Sequence, residues 1–444
     1  MKTRFLIVAG VLIAGAASGV GLWVASHDRP RVVRGSPTIE FVPSDKPKAG
    51  SRPAKLVRSR PWPTYGYDAR RSHLAADFGL RPPFRRLWSL ATGWFIEFPP
   101  SIAYGRVFVA QLRGRFYALD AKTGKVDWER RFRACTAASP TVGEGLVYQP
   151  FVPEPCNYAD RRDPGFVIAF RVRDGRIRWR FPVASESSTL LVGNSVYFGA
   201  WDHRLYSLNA RTGKRRWSFK ADDELNSSPA YARGTIYIGS DGGSLYAIDA
   251  RTGRLRWRAR SFSSLRWGRE YFYATPTVAY GRVYIGNSDG IVYAYGAQSG
   301  RLLWAQRAGT YVYSAAAVWR KTVYVGSYDG KLYALDAATG DVKWTHQSPS
   351  AIHGAPTVMA GLVYFSSCGT CGHNASREAK FGRRGTYAVD ARTGRLVWSF
   401  PDGRYSPIVA DSERVYLVGN TRVYGLDPCL PRRRRTLALG QRAC

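Results

Sequence analysis

The side chains best suited to chemistry share one position of a sequence repeat. Glu97, Glu186, Asn226, Tyr273, Tyr313 and His353 fall at equivalent points of successive copies, with Ala137 at one more and Tyr405 at the eighth after a one-residue slip. Two carboxylates, an amide and an imidazole brought together can hold a cation or a small polar ligand. The same set also reads as a hydrated channel mouth. No catalytic role follows, because approach distances are not in the sequence. The six cysteines form a second set: Cys135 with Cys156, Cys368 with Cys371, and Cys429 with Cys444 are local pairs. An even count fits disulfides outside the cytoplasm, with reduced thiols as the other reading. Cys368-Gly-Thr-Cys371 is not a haem attachment sequence, since His373 does not follow directly. A zinc site would need two more ligands, and only His373 offers itself.

Positioning such a ring takes a repeated scaffold, and the repeat is plain. Seven segments share an apolar strand, a turn ending in Gly, and a Trp four residues later. Tyr117 to Gly124 with Trp128 is the first, and Tyr387 to Gly394 with Trp398 is the seventh. The intervening Trp are Trp179, Trp217, Trp257, Trp304 and Trp344. An eighth copy starts at Tyr424 and stops before its Trp, and Trp88 lies far upstream. Each unit of about 40 to 54 residues reads as four strands, A to D. Strand B carries a central aromatic, from Phe108 and Tyr148 to Tyr416. A circular array lets the N-terminal strand around Trp88 complete the last blade, and closure removes exposed ends. The expectation is an all-β, eight-bladed β-propeller over residues 62–428. Gly permits the turn into strand D, and Trp packs between neighbouring blades.

The flanks differ. Lys2 and Arg4 precede an uncharged stretch, Phe5 to Ala25, long enough to cross a membrane as a helix. Residues 1–26 are therefore expected to be a signal-anchor, with cleavage after a signal peptide as the alternative. Residues 27–61 read as a Pro/Arg-rich linker, and 429–444 as a basic tail bounded by Cys429 and Cys444. With 66 Lys and Arg against 32 Asp and Glu, the chain carries +34. That charge speaks to partners, not to fold.

The repeat Tyr-Ala-Leu-Asp-Ala-x-Thr-Gly-x-x-x-Trp resembles the tryptophan-docking motif of the pyrroloquinoline quinone (PQQ) type propeller superfamily. Trp62-Pro-Thr-Tyr-Gly-Tyr-Asp68 is similar to that superfamily's opening segment. The resemblance implies the fold for the whole globular part and leaves two functions. Quinoprotein dehydrogenases hold PQQ and a calcium ion, whereas BamB-like proteins are non-catalytic scaffolds in envelope protein assembly. This chain has no adjacent Cys pair of the kind the alcohol dehydrogenases carry, and no Glu, Asn and Asp set that matches their metal ligands. It also lacks the lipid-carrying Cys of the scaffold branch, a role an anchor helix would take over. The chain is closer to the scaffold branch.

Strand alternation puts A–B and C–D turns on one face, and B–C and D–A loops on the other. The insertions near 149–165, 260–273 and 367–384 all fall on the second face, where binding usually lives. On the first face, six of the seven residues after the turn Gly are basic, among them Lys125, Arg176 and Arg395. This rim suits anionic lipid headgroups or wall polymers, or simply solubilises the turns. The expected function is a membrane-anchored, extracytoplasmic, non-catalytic and monomeric propeller that engages an envelope protein without a cofactor. A PQQ- and calcium-dependent dehydrogenase is the second reading and a sensor module the third. Nucleic acid is disfavoured by the anchor.

Overall fold

The computed structural model describes residues 32–43, 61–154, 165–262, 271–369, 384–405 and 407–429. The chain divides into Met1–Val33 and Arg34–Cys444, and the repeats belong to the second unit. The described part of that unit is all strand and turn, arranged as eight sheets that are antiparallel apart from one short parallel edge strand. No helix among the described residues is long and apolar enough to cross a membrane, and Phe5 to Ala25 lies outside them.

Blade 4 shows the common plan. Strand A is Ala230–Ala232, B is Thr235–Gly239, C is Ser244–Asp249 and D is Leu255–Arg260. Strands B and C are buried almost throughout, because they lie between two neighbouring blades. Strand D alternates instead, since it forms the outer edge. The turn from C to D is held by Asp249, whose Oδ1 accepts from the Thr252 amide and hydroxyl at 2.8 Å. Asp120 and Asp390 do the same in their blades.

The ring closes as the repeat predicts. Phe84–Ala91 pairs antiparallel with Arg422–Pro428, setting Trp88 opposite Gly425 and giving blade 8 its fourth strand. Two blades carry a fifth strand. Ala134–Cys135 pairs with Leu146–Pro153 in blade 2, and Leu74–Ala75 runs parallel to Thr357–Met359 in blade 7.

Between blades, seven of the eight D-strand Trp, all but Trp398, donate their indole N–H to a carbonyl in the C–D turn of the next blade. Trp217 Nε1 donates to the Ala250 carbonyl at 3.1 Å, and Tyr197 Oη donates to the same oxygen at 3.0 Å. Gly253, with φ of +74°, lies so close that a Cβ would sit 2.7 Å from Trp217. The turn glycine thus serves two purposes, a left-handed turn and room for the previous blade's indole. Trp128, Trp179 and Trp304 are buried, whereas Trp88, Trp217, Trp257, Trp344 and Trp398 are only half-buried. The outer position of strand D explains this difference from a fully enclosed ring.

Two N-terminal segments are bound in ways the sequence did not reveal. The segment from Trp62 to Ala75 lies across the inner strands. Its carbonyls accept amides of blades 1, 2, 4, 5, 6 and 7, for example Ile102 to Trp62 at 2.8 Å and Val358 to His73 at 2.8 Å. Blade 3 is reached by Arg71, whose Nη2 donates to the carbonyls of Ser188 and Thr189 at 3.2 and 3.0 Å. Contact with seven inner strands places this segment on the propeller axis as a plug. Part of the expected linker also lies against the propeller. The Gly35 amide donates to Thr339 at 2.9 Å and the Val42 amide to Tyr280 at 3.0 Å. The buried Arg282 guanidinium donates to the carbonyls of Ser36, Ile39 and Glu40 on that strap.

Candidate functional site

The D–A loops carry the polar ring to the axis, above the plug. Glu97, Asn226, Tyr273, Tyr313, His353 and Tyr405 line one pocket with Phe98, Ser228, Thr275, Gly354 and Ala355, and Tyr65 of the plug also faces it. Glu186 is buried and lines a neighbouring pocket with Ala137, Trp201 and Cys135. The two carboxylates of the ring are therefore split between two pockets. Among the described residues, no three His, Cys, Asp or Glu side chains come together as metal ligands.

Several of the pocket polar groups are held by side chains outside the lining. Asn226 accepts from Trp201 Nε1 at 2.9 Å through its oxygen and donates to Asp241 at 2.8 Å through its amide nitrogen. Burial holds the Asp241 carboxyl up to about 7, helped by the nearby Glu224 and Asp223 charges. Burial also raises the Glu97 carboxyl to about 7, and the Arg404 guanidinium pulls it partly back. His353 is pushed down to about 4, first by burial and then by Arg404. Its Nδ1 shares a hydrogen bond with Tyr328 Oη. Near neutral pH the imidazole is thus uncharged and part of the Glu97 population is protonated.

The wall is aromatic. Tyr271 and Tyr313 stack at 6.0 Å with their hydroxyls 2.9 Å apart, and His353 meets Tyr405 edge-on at 4.9 Å. Arg404 covers the rings of Phe95 and Tyr405, each at 4.8 Å. Tyr271, Tyr311, Tyr328 and Arg404 escaped the sequence reading. The signal for two of them was present: Tyr271-x-Tyr273 and Tyr311-x-Tyr313 alternate, which puts both members of each pair on one side of an extended chain.

Such a site can offer hydroxyls, a carboxyl and aromatic faces to a small polar group or to a side chain of a partner. It does not fit PQQ and calcium. The free space is about 30 Å³, against roughly 300–1,000 Å³ for sites that enclose a drug-sized ligand. A calcium site would also need several oxygen ligands aimed at one point, and among the described residues Glu97 is the one carboxylate that lines the pocket.

Cys135, Cys368 and Cys429 are each disulfide-bonded, and no described cysteine is free. Cys156, Cys371, His373 and Cys444 lie outside the described residues, as do large parts of the three insertions.

Known proteins agree with this architecture. A family model described as "Outer membrane protein assembly factor BamB" matches residues 85–221 and 201–428. The BamB of Legionella pneumophila (strain Paris) is 31% identical over 121 residues, covering 27% of this chain and 31% of that protein. The matched part thus spans about a third of that relative. The crystal structure of BamB from Moraxella catarrhalis superposes with a TM-score of 0.61 at 16% identity, covering 78% of this chain and 99% of that one. A quinohemoprotein alcohol dehydrogenase, ADHIIG from Pseudomonas putida HK5, gives 0.66 at 13% identity, covering 86% and 84%. At such identities the two structures speak to fold alone. The family match extends over most of the chain, and the chain belongs to the PQQ-like propeller family described as outer membrane protein assembly factor BamB.

Proposed function

We propose that the chain is a non-catalytic scaffold propeller of the cell envelope, which engages a partner protein through its loop-bearing face. The observation that carries this reading is the plug. The segment from Trp62 to Ala75 crosses the inner strands beneath the polar ring, and the mouth above it has about 30 Å³ of free space. A quinone-dependent enzyme needs a deep chamber at that place, whereas a scaffold needs only a rigid rim with loops on it. The cysteines support an oxidising compartment. On this reading Cys135 pairs with Cys156, Cys368 with Cys371 and Cys429 with Cys444. The apolar stretch from Phe5 to Ala25 then anchors the chain in a membrane, with the propeller outside the cytoplasm.

The test is an absorbance titration of purified chain with PQQ and calcium, followed by dye-linked alcohol oxidation. No quinone binding at micromolar concentration is the expected result, and tight binding with turnover would remove the scaffold reading. In-cell photo-crosslinking separates the faces. A crosslinker at Tyr273 or Tyr405 should capture an envelope protein, and the same label at Lys122 should not.

A further inference from the structure

The C–D turn face has a feature beyond its basic residues. Register makes certain positions equivalent around the ring. Val126 pairs with Leu119, Ile177 with Phe170, Leu255 with Ile248, Val342 with Leu335 and Leu396 with Val389, in each case just beyond a one-residue bulge. These five aliphatic side chains are 43–54% exposed. Each is preceded by an exposed charged residue: Lys125, Arg176, Arg254, Asp341 and Arg395. Equivalent register on blades related by rotation puts these residues at one height. The outer edge of this face therefore carries a partial circlet, on blades 1, 2, 4, 6 and 7, in which exposed aliphatic and mostly cationic side chains alternate, with Arg215 at the same position of blade 3 and half-buried Leu302 at that of blade 5. The single acidic member, Asp341, is met by Arg34 of the N-terminal strap at 4.0 Å.

We propose that this circlet seats the propeller on an anionic bilayer, with the C–D turns toward the membrane and the aromatic mouth facing away. A flat surface can touch all five of these blades at once, whereas a globular partner reaches only a few. Aliphatic side chains interleaved with Lys and Arg match the boundary between acyl chains and anionic headgroups. Chain connectivity gives a separate argument, which rests on the membrane-anchored reading. The strap joins the propeller on this face, at Gly35 beside Thr339, and the apolar stretch ends at Ala25, nine residues before Arg34. Nine extended residues span at most about 30 Å, so an anchor there holds this face close to the bilayer.

The test is amine acetylation of the full chain reconstituted with phosphatidylcholine vesicles, with or without phosphatidylglycerol, read by mass spectrometry. Lys122, Lys125 and Lys214 lie on the C–D side. Lys220, at the far end of its D strand, and Lys331, at the start of a C strand, lie toward the other face. Labelling of the first three should fall several-fold in anionic vesicles, with Lys220 and Lys331 unchanged. A chain carrying V126D, I177D, L255D and L396D should lose that protection while keeping its circular dichroism spectrum. Equal labelling in both vesicles, protection of Lys220 and Lys331 instead, or failure to float with anionic vesicles would overturn the proposal. A protein partner on this face would likewise give no vesicle-dependent protection. Flotation in carbonate separates the two readings. Carbonate-resistant flotation without protection leaves the anchor and removes the seating. Salt-sensitive flotation with protection removes the anchor and leaves the seating.

Discussion

The indole N–H of Trp304 donates to the carbonyl of Ala337 in the next blade at 3.1 Å. That oxygen also accepts from Tyr284 Oη at 3.0 Å and from Arg282 Nη1 at 3.1 Å. Trp304 is fully buried. Trp304→Ala should therefore cost about 3–5 kcal/mol of stability, the usual range for emptying a large aromatic site. Trp304→Phe should cost less, since the Ala337 carbonyl keeps two donors. Denaturant unfolding of the variants measures both. Equal losses for Ala and Phe would show that the hydrogen bond, rather than the ring, carries the contact.

The turn glycines should divide by what lies above them. At Gly253 a Cβ would meet Trp217 at 2.7 Å and φ is +74°. Gly253→Ala should lose about 1–3 kcal/mol through strain and displaced packing. At Gly79 nothing lies within 4 Å and φ is not in the left-handed region. Gly79→Ala should be neutral or slightly stabilising. Thermal unfolding of the two variants side by side checks the contrast.

Arg71 should be the residue on which the plug depends. Its guanidinium is fully buried and donates to the Pro229 carbonyl at 2.9 Å, to Thr64 Oγ1 at 2.8 Å, and to the carbonyls of Tyr65, Ser188 and Thr189. Arg71→Met leaves these acceptors without their donor, at a cost of roughly 3 kcal/mol or more. Arg71→Lys should recover only part of it, because an ammonium lacks the planar fork. Hydrogen exchange at the Ile102 and Val358 amides, which bind the plug backbone, should rise in Arg71→Met before the rest of the propeller opens.

The blades were legible and the plug was not, for a physical reason. The spacing from Gly124 to Trp128 recurs because each blade solves the same packing problem, so repetition exposes it. The contacts of Trp62, Arg71 and His73 occur once and join residues far apart in the chain, as from Arg71 to Pro229 and from His73 to Val358. No periodicity marks them. The polar ring sits between these cases. Aligning blades on the B-strand aromatic places Glu97, Asn226 and His353 at one mouth. Glu186 diverges, because the fifth strand of blade 2, Ala134–Cys135, builds a separate pocket beside it. Tyr328 and Arg404 were missed because their reach depends on loop paths, not on register.

The cysteines should yield no free thiol in the unfolded, unreduced chain. Peptide mapping should link Cys135 to Cys156, Cys368 to Cys371 and Cys429 to Cys444. More than one free thiol per chain, or links across these pairs, would refute the assignment. Cys135→Ser should affect the loop face rather than the blades, since Cys135 lies in the short fifth strand beside the Glu186 pocket.

Acid–base behaviour gives the sharpest reading of the mouth. Glu97 titrates near 4.5 when exposed and is held up to about 7 in the fold by burial. The native state therefore keeps a proton that the unfolded chain releases, so the stability this group contributes is full below about 4.5 and is lost as pH rises through about 7. Glu97→Gln carries no such loss. Its melting temperature should match the parent near pH 4 and exceed it above pH 7, with the gap opening between those values. His353 has the opposite sign. It is held down to about 4 from 6.5, so its contribution is present above 6.5 and is lost as pH falls through 4. His353→Asn should therefore narrow the acid-side decline and leave the alkaline side alone. A Glu97→Gln difference that stays constant from pH 4 to 8 would show that the fold leaves the Glu97 carboxyl at its ordinary value, so that it is ionised at neutral pH and the mouth presents a negative charge to its partner.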